Sequence, residues 1–243
     1  MKYIKEALEQ YGKETNFITY NIEKVLRLMD VLDFLFKRSI FKDKLILKGG
    51  TAINLIYTNM KRLSLDIDLD YHGSLEKEVA FYERTILIEE LDKYMLSEQY
   101  EISTRSRDSI ALLSRKYKYI NAYGNVDYIK VDINFMDRIS LFEPITSEIT
   151  FFGKTIKVKT PKIEELFGMK IAALIQRSKP RDLYDSAFLL ENITYDKDLL
   201  RKAAIFYVSL DGIFEIDNST FENVKTIAYR DVMIELFPVL KKR

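Results

Sequence analysis

From Leu63 to Tyr71 the chain alternates apolar Leu65, Ile67 and Leu69 with acidic Asp66, Asp68 and Asp70. A period of two is the pattern that an extended strand sorts into two faces. One face is set for burial and the other carries a row of carboxylates. Residues two apart on a strand rise about 7 Å on the same side, so Asp66 and Asp68 repel each other unless a cation stands between them. Mg²⁺ suits that place, because it takes oxygen ligands and is usually held by one or two carboxylates together with phosphates. A solvated strand face explains the same alternation, so the pattern needs company before it signifies chemistry.

Company comes from both sides. Upstream, the apolar run Leu45-Ile46-Leu47 ends at Lys48-Gly49-Gly50-Thr51, and Ala52, Ile53, Leu55, Ile56 and Tyr57 continue as a short helix. Glycines let a backbone approach phosphate oxygens, and free amides at a helix start favour anions. Thr51 adds a hydroxyl, and Lys48 and Arg62 add positive charge. Downstream, Asp132 in Lys130-Val131-Asp132-Ile133-Asn134 lies between apolar positions. On a neighbouring strand it would complete a three-acid metal set with Asp66 and Asp68. A Gly-Gly turn is often only a turn, but together these elements match phosphoryl transfer, in which metals bridge a triphosphate and a carboxylate helps to deprotonate the attacking hydroxyl.

Around this nucleus the order of elements is α+β. Asn21 to Lys37 carries a helical stripe with Asn21 as the expected N-cap, and Glu76 to Ser97 is the next helix. Strands are expected at Tyr100–Thr104, Ile110–Ile120 and Tyr128–Met136, and Gly153-Lys154 as a two-residue turn between Ile149–Phe152 and Thr155–Val158. From Pro161 onward the pattern is helical, with Pro180 opening a second helix. The expected division is residues 1–160 as a catalytic core with N-terminal helices and 161–243 as a helical lobe completing the site.

Composition narrows the chemistry. The 243 residues include no cysteine and a single histidine, His72, which leaves neither disulfides nor a thiolate metal site and too little histidine for a usual zinc centre. Net charge is +1, so any nucleic-acid surface has to be a local patch. No run approaches the roughly 20 apolar residues of a membrane span, and the start from Met1 to Glu6 lacks a signal-peptide pattern. The expected location is the cytoplasm.

Leu47-Lys48-Gly49-Gly50-Thr51-Ala52, followed by Arg62-Leu63-Ser64-Leu65-Asp66-Ile67-Asp68-Leu69, resembles the AbiEii family of bacterial nucleotidyltransferase toxins. So does the later stretch from Lys170 to Arg177 with Lys179-Pro180-Arg181-Asp182-Leu183-Tyr184-Asp185. The resemblance runs from about residue 20 to 200, with a looser middle. It implies a DNA polymerase β-like core with a mixed sheet, metal ligation by Asp66, Asp68 and Asp132, an essential lysine and aspartate at Lys170 and Asp185, and Ser64 beside the metal. Further, it implies Mg²⁺ or Mn²⁺ as cofactor, an NTP as substrate, release of pyrophosphate, and the tRNA 3′ end as acceptor. As a type IV toxin with ties to phage abortive infection, such a chain would have a separate antitoxin, of the winged-helix kind. Where the wider superfamily has Gly-Ser at the phosphate turn, this chain has Gly-Gly-Thr.

Lys170 and Arg177 fall at helical spacing and would grip a triphosphate, with Lys48, Gly49, Gly50 and Thr51 opposite. Asp182 and Asp185 share a face of the next helix; Asp182 either caps that helix, pairs with a cation or acts directly. Tyr117, Tyr119 and Tyr123, interleaved with Arg115, Lys116 and Lys118, offer a stacking surface for nucleic acid or an ordinary half-exposed strand. Two rival readings stay open: a protein or small-molecule acceptor, and a nucleotide-binding module without turnover.

Overall fold

The structure, a computed structural model, describes residues 3–242, so Met1, Lys2 and Arg243 of the two termini lie outside the described residues. Two helices, α1 (Lys5–Thr15) and α2 (Thr19–Asp33), precede β1 (Leu45–Lys48), the short α3 (Gly49–Ala52), β2 (Ile67–Tyr71) and α4 (Lys77–Ser97). Strands β3 (Glu101–Ile102), β4 (Arg107–Asp108), β5 (Leu112–Ile120) and β6 (Val126–Asn134) follow, then the hairpin β7 (Ile145–Phe151) and β8 (Lys154–Thr160). Helices α5 (Ile163–Arg177), α6 (Pro180–Asn192) and α7 (Lys197–Leu210) come next, with short turns of helix beyond.

The main sheet has the order β1-β2-β6-β5-β3, with β4 also paired to β5. It is mixed: β2 and β6 are parallel, and β1–β2 and β5–β6 are antiparallel. Register sorts the sequence alternation into two lateral rows. Leu47, Leu69, Ile133 and Leu113 are mutual partners across four strands and are buried, while one residue along, Lys48, Asp68, Asp132 and Ser114 form the matching row on the opposite face. Apolar residues at one parity pay for the sheet's burial, and the other parity is left free to carry function.

The hydrophobic core is continuous across residue 160, joining sheet residues such as Ile67 and Val131 to Leu166, Phe167, Leu189 and Leu200 of the C-terminal helices. Helix α5 packs closely on α7 because Gly168 presents no side chain; a Cβ there would meet the Ala203 backbone at 2.7 Å. Buried Glu165 ties this helix to the preceding loop, accepting from the Leu141 and Phe142 amides at 2.7 and 3.0 Å and from the Tyr207 hydroxyl at 2.6 Å.

Several local expectations shift. The N-cap of α2 is Ile18, and Asn21 lies inside the helix, its amide donating to the Pro238 carbonyl at 2.6 Å. The acidic strand begins at Ile67, leaving Asp66 in a bend before it. The strand expected at Tyr100–Thr104 is only two residues long. At the hairpin, Phe152 and Gly153 take the turn with φ of 44° and 76°, and Lys154 already belongs to β8. Two positive φ values in succession are what a tight turn matching the strand twist demands.

Candidate active site

Asp66, Asp68 and Asp132 are brought to one cavity of about 430 Å³, together with Gly50, Arg62, Ser64, Lys170, Arg177 and Arg181. Lys48 and Gly49 line an adjoining cavity of similar size that shares Asp68, Lys170 and Arg177. The sheet face therefore forms one wall, and α5 with the start of α6 forms the other.

The glycine turn is built for close approach to that wall. Gly49 adopts φ +69°, and a Cβ on it would run into the Asp68 carboxylate; a Cβ on Gly50 would lie 2.8 Å from the Arg62 guanidinium and 3.0 Å from Ser64 Oγ. Thr51, expected to donate to phosphate, is instead fully buried, and its hydroxyl donates to the Asp66 carbonyl. It fixes the backbone that presents Asp66.

The acids differ in their freedom. Neither carboxylate of Asp66 nor of Asp68 has a hydrogen-bond or ion-pair partner among the described residues. Asp132 is held on both oxygens, accepting from Ser114 Oγ at 2.6 Å and from Lys130 Nζ at 2.5 Å. Among the described residues no three acidic or histidine side chains stand ready to hold a cation by themselves. The expected three-acid cluster is thus assembled in one cavity but not as a closed cage. Burial first, then repulsion from Asp66 and Asp132, pushes the Asp68 carboxyl above its ordinary range, while Lys130 and Lys48 pull the other way. Two unpartnered carboxylates, one of them destabilised by its acidic neighbours, fit the oxygen chemistry of Mg²⁺.

Lys48 turns to Asp70, with 2.5 Å between Nζ and Oδ1, rather than across the cavity. Burial lifts Asp70 to about 6 even against that lysine. On the opposite wall the charges alternate. Lys170 Nζ lies 2.9 Å from Asp182 and 3.3 Å from Asp185. Arg177 chelates Asp182 at 2.6 and 3.0 Å, and Arg62 chelates Asp185 at 2.7 and 2.6 Å. Burial works to raise Asp182, but the Arg177 hydrogen bond and the Lys170 charge outweigh it and hold it low. Of the readings open for Asp182, the structure shows the ion pair. Asn54 adds a bridge, donating to the Gly50 carbonyl at 2.9 Å and lying 3.4 Å from Asp185.

A match spanning residues 33–239 is found to the family described as nucleotidyl transferase AbiEii toxin, type IV TA system. The chain belongs to the AbiEii family. It is accordingly a nucleotidyltransferase toxin of a type IV toxin–antitoxin system. Among solved structures it is similar to MenT4, a nucleotidyltransferase toxin from Mycobacterium tuberculosis H37Rv, at TM-score 0.65 and 16% identity, covering 86% of this chain and 71% of that one. At that identity the likeness bears on the AbiEii fold alone. Among curated proteins no sequence match was found.

Sequence reasoning passed over Lys130, whose place two residues before Asp132 puts it on the same strand face. Arg62, Lys179 and Arg181 it placed in the AbiEii motifs without a partner or, beyond nearby charge for Arg62, a role, and Glu235 it passed over. Lys179 pairs with Glu235 at 2.7 Å at the cavity edge. The tyrosine stacking surface is corrected: Tyr117 and Tyr119 are buried on the core face, their hydroxyls bonded to Asp92 at 2.6 Å and Asp127 at 3.2 Å. His72 accepts from the Ser140 amide at 3.3 Å, away from the cavity. No helix among the described residues is long and apolar enough to cross a membrane.

Proposed function

We propose that this nucleotidyltransferase is metal-dependent and moves a nucleoside monophosphate from an NTP to the 3′ hydroxyl of tRNA. The observation that carries this reading is the pair of unpartnered carboxylates, Asp66 and Asp68, facing the Lys170–Arg177 wall across a cavity of about 430 Å³. Asp66 and Asp68 would hold Mg²⁺ or Mn²⁺, which on binding neutralises the developing charge of the triphosphate. Lys170 and Arg177, already oriented by Asp182, present their remaining donors to phosphate oxygens, and Arg181 adds a cation without a carboxylate partner among the described residues. Gly49 and Gly50 keep the turn thin enough for the phosphates to approach, and Ser64 lines the floor beside them.

The acceptor oxygen forms a bond to the α-phosphorus as the bond to the bridging oxygen breaks. The leaving electron pair departs on pyrophosphate, and the hydroxyl proton passes to Asp132. Lys130 and Ser114 hold Asp132 in line with Asp68 until substrate enters. A cytoplasmic toxin of this kind, restrained by a separately encoded winged-helix antitoxin and released in phage defence, accords with the type IV assignment.

The test is incubation of the protein with total tRNA and each of the four labelled NTPs, with Mg²⁺ or with chelator. Label on tRNA that disappears with chelator, and in Asp66→Ala or Asp68→Ala protein, is the expected result. Label in protein or small molecules but not in RNA overturns the acceptor, and full transfer by Asp68→Ala overturns the site.

A further inference from the structure

Beyond Asp132, on the β5 side of the sheet, a larger groove of about 930 Å³ runs along the lateral row that carries the acids. Arg107 stands in register with Ser114, and Ser114 with Asp132; two residues along, Lys116 stands in register with Lys130. All lie on the functional face. With Arg105 they line the groove, and Lys130 and Asp132 are shared with the catalytic cavity, so one space opens into the other.

The balance of charge differs between the two spaces. In and around the catalytic cavities Lys48, Arg62, Lys130, Lys170, Arg177 and Lys179 each have a carboxylate partner, and Arg181 has none among the described residues. In the groove, Arg105, Arg107 and Lys116 have none among the described residues. Arg105 instead lies over the Tyr128 ring at 5.6 Å, and Tyr128 shares the face of Lys130 and Asp132. The groove's two lining acids, Asp108 and Asp132, are paired with Arg115 and Lys130, so Arg105, Arg107 and Lys116 remain as cations without an ion-pair partner among the described residues, and in a chain of net charge +1 that is a local arrangement rather than general basicity. A cationic track with an aromatic ring beside it is the recognition pattern for a single nucleic-acid strand.

We infer that this groove is the track of the acceptor strand: Arg105, Arg107 and Lys116 pair with successive phosphodiesters of single-stranded RNA, a base packs at Tyr128, and the terminal hydroxyl arrives at Asp132. The inference rests on the proposal that the acceptor is an RNA end, and assigns that acceptor a path distinct from the NTP cavity.

The test compares wild type with Arg107→Ala/Lys116→Ala and with the charge-keeping Arg107→Lys/Lys116→Arg. Affinity for a labelled single-stranded RNA oligonucleotide is measured across a salt series, beside NTP affinity and thermal melting. The alanine pair is expected to bind RNA at least ~10-fold more weakly and to lower the salt slope by about 1.4, with NTP affinity and melting unchanged and with recovery in the charge-keeping pair. Wild-type RNA affinity and slope in the alanine pair overturn the track, as does a loss confined to binding of the antitoxin. The binding readout stands apart from the acceptor: a wild type that labels protein rather than tRNA would fail the functional proposal, whereas normal tRNA labelling with unaltered RNA binding in the alanine pair would fail the groove alone.

Discussion

Lys170 stands 2.9 Å from Asp182, and both are almost wholly buried beneath the cavity that they help to line. The lysine is therefore part of a charge lattice as well as a phosphate ligand. Asp182 keeps Arg177 and Asp185 keeps Arg62 if the lysine is removed, so neither acid is left alone. Lys170→Ala is expected to lose nucleotide transfer while costing about 1–3 kcal/mol of stability, read by denaturant titration beside the transfer assay.

Asp185 is the structural counterpart. Removing its charge strands Arg62, a guanidinium 2% exposed, beneath the glycine turn. Asp185→Ala is expected to cost about 3–5 kcal/mol, visible as a lower denaturant midpoint and as protein that loses NTP binding with its fold.

Asp68→Asn should part activity from stability. The native carboxyl is raised by burial and by its acidic neighbours, so ionising it opposes folding. The variant is expected to melt higher than wild type and to lose transfer, as measured by calorimetry and by label on RNA. A lower melting temperature would show that Asp68 is not held against repulsion.

Asp70 predicts a pH dependence. Its folded value of about 6 lies above the ordinary 3.8, so the stability it contributes is present below pH 3.8 and is lost as pH rises through 6. That amounts to about 3 kcal/mol at most. Wild type should lose this component between pH 4 and 6 in denaturation curves, and Asp70→Asn should lack it.

Gly49→Ala is expected to destabilise by about 1 kcal/mol or more, from φ +69° and from contact with the Asp68 carboxylate. Metal affinity, followed by Mn²⁺ titration, should fall with it.

The sheet was legible because its two parities differ so sharply in chemistry: Ile67 and Leu69 against Asp68 and Asp70 leave one choice of inward face. Asp132 was legible for the same reason, with Val131 and Ile133 beside it. Local pattern fails where a residue spends its side chain far away. Asn21 reads as a cap until Pro238 claims its amide, and Thr51 reads as a phosphate donor until the Asp66 carbonyl claims its hydroxyl. Arg62 and Asp185 meet across 123 positions, a pairing that no periodicity carries; only the family motif drew attention to Asp185. Of the groove cations, Lys116 was legible as part of a basic, tyrosine-rich stretch, whereas Arg105 and Arg107 were hidden because they come beside it only once β4 pairs with β5.

The segment that carries Arg62 is also stitched to the last part of the chain: the Leu63 amide donates to the Val239 carbonyl at 2.8 Å, and Arg62 bridges to Leu240. Ribosomes deliver residues in order, so the glycine turn and both acids emerge long before the strand of backbone that braces them. A nascent toxin therefore carries its glycine turn and both acids unbraced until residues 239 and 240 have been made and have folded back.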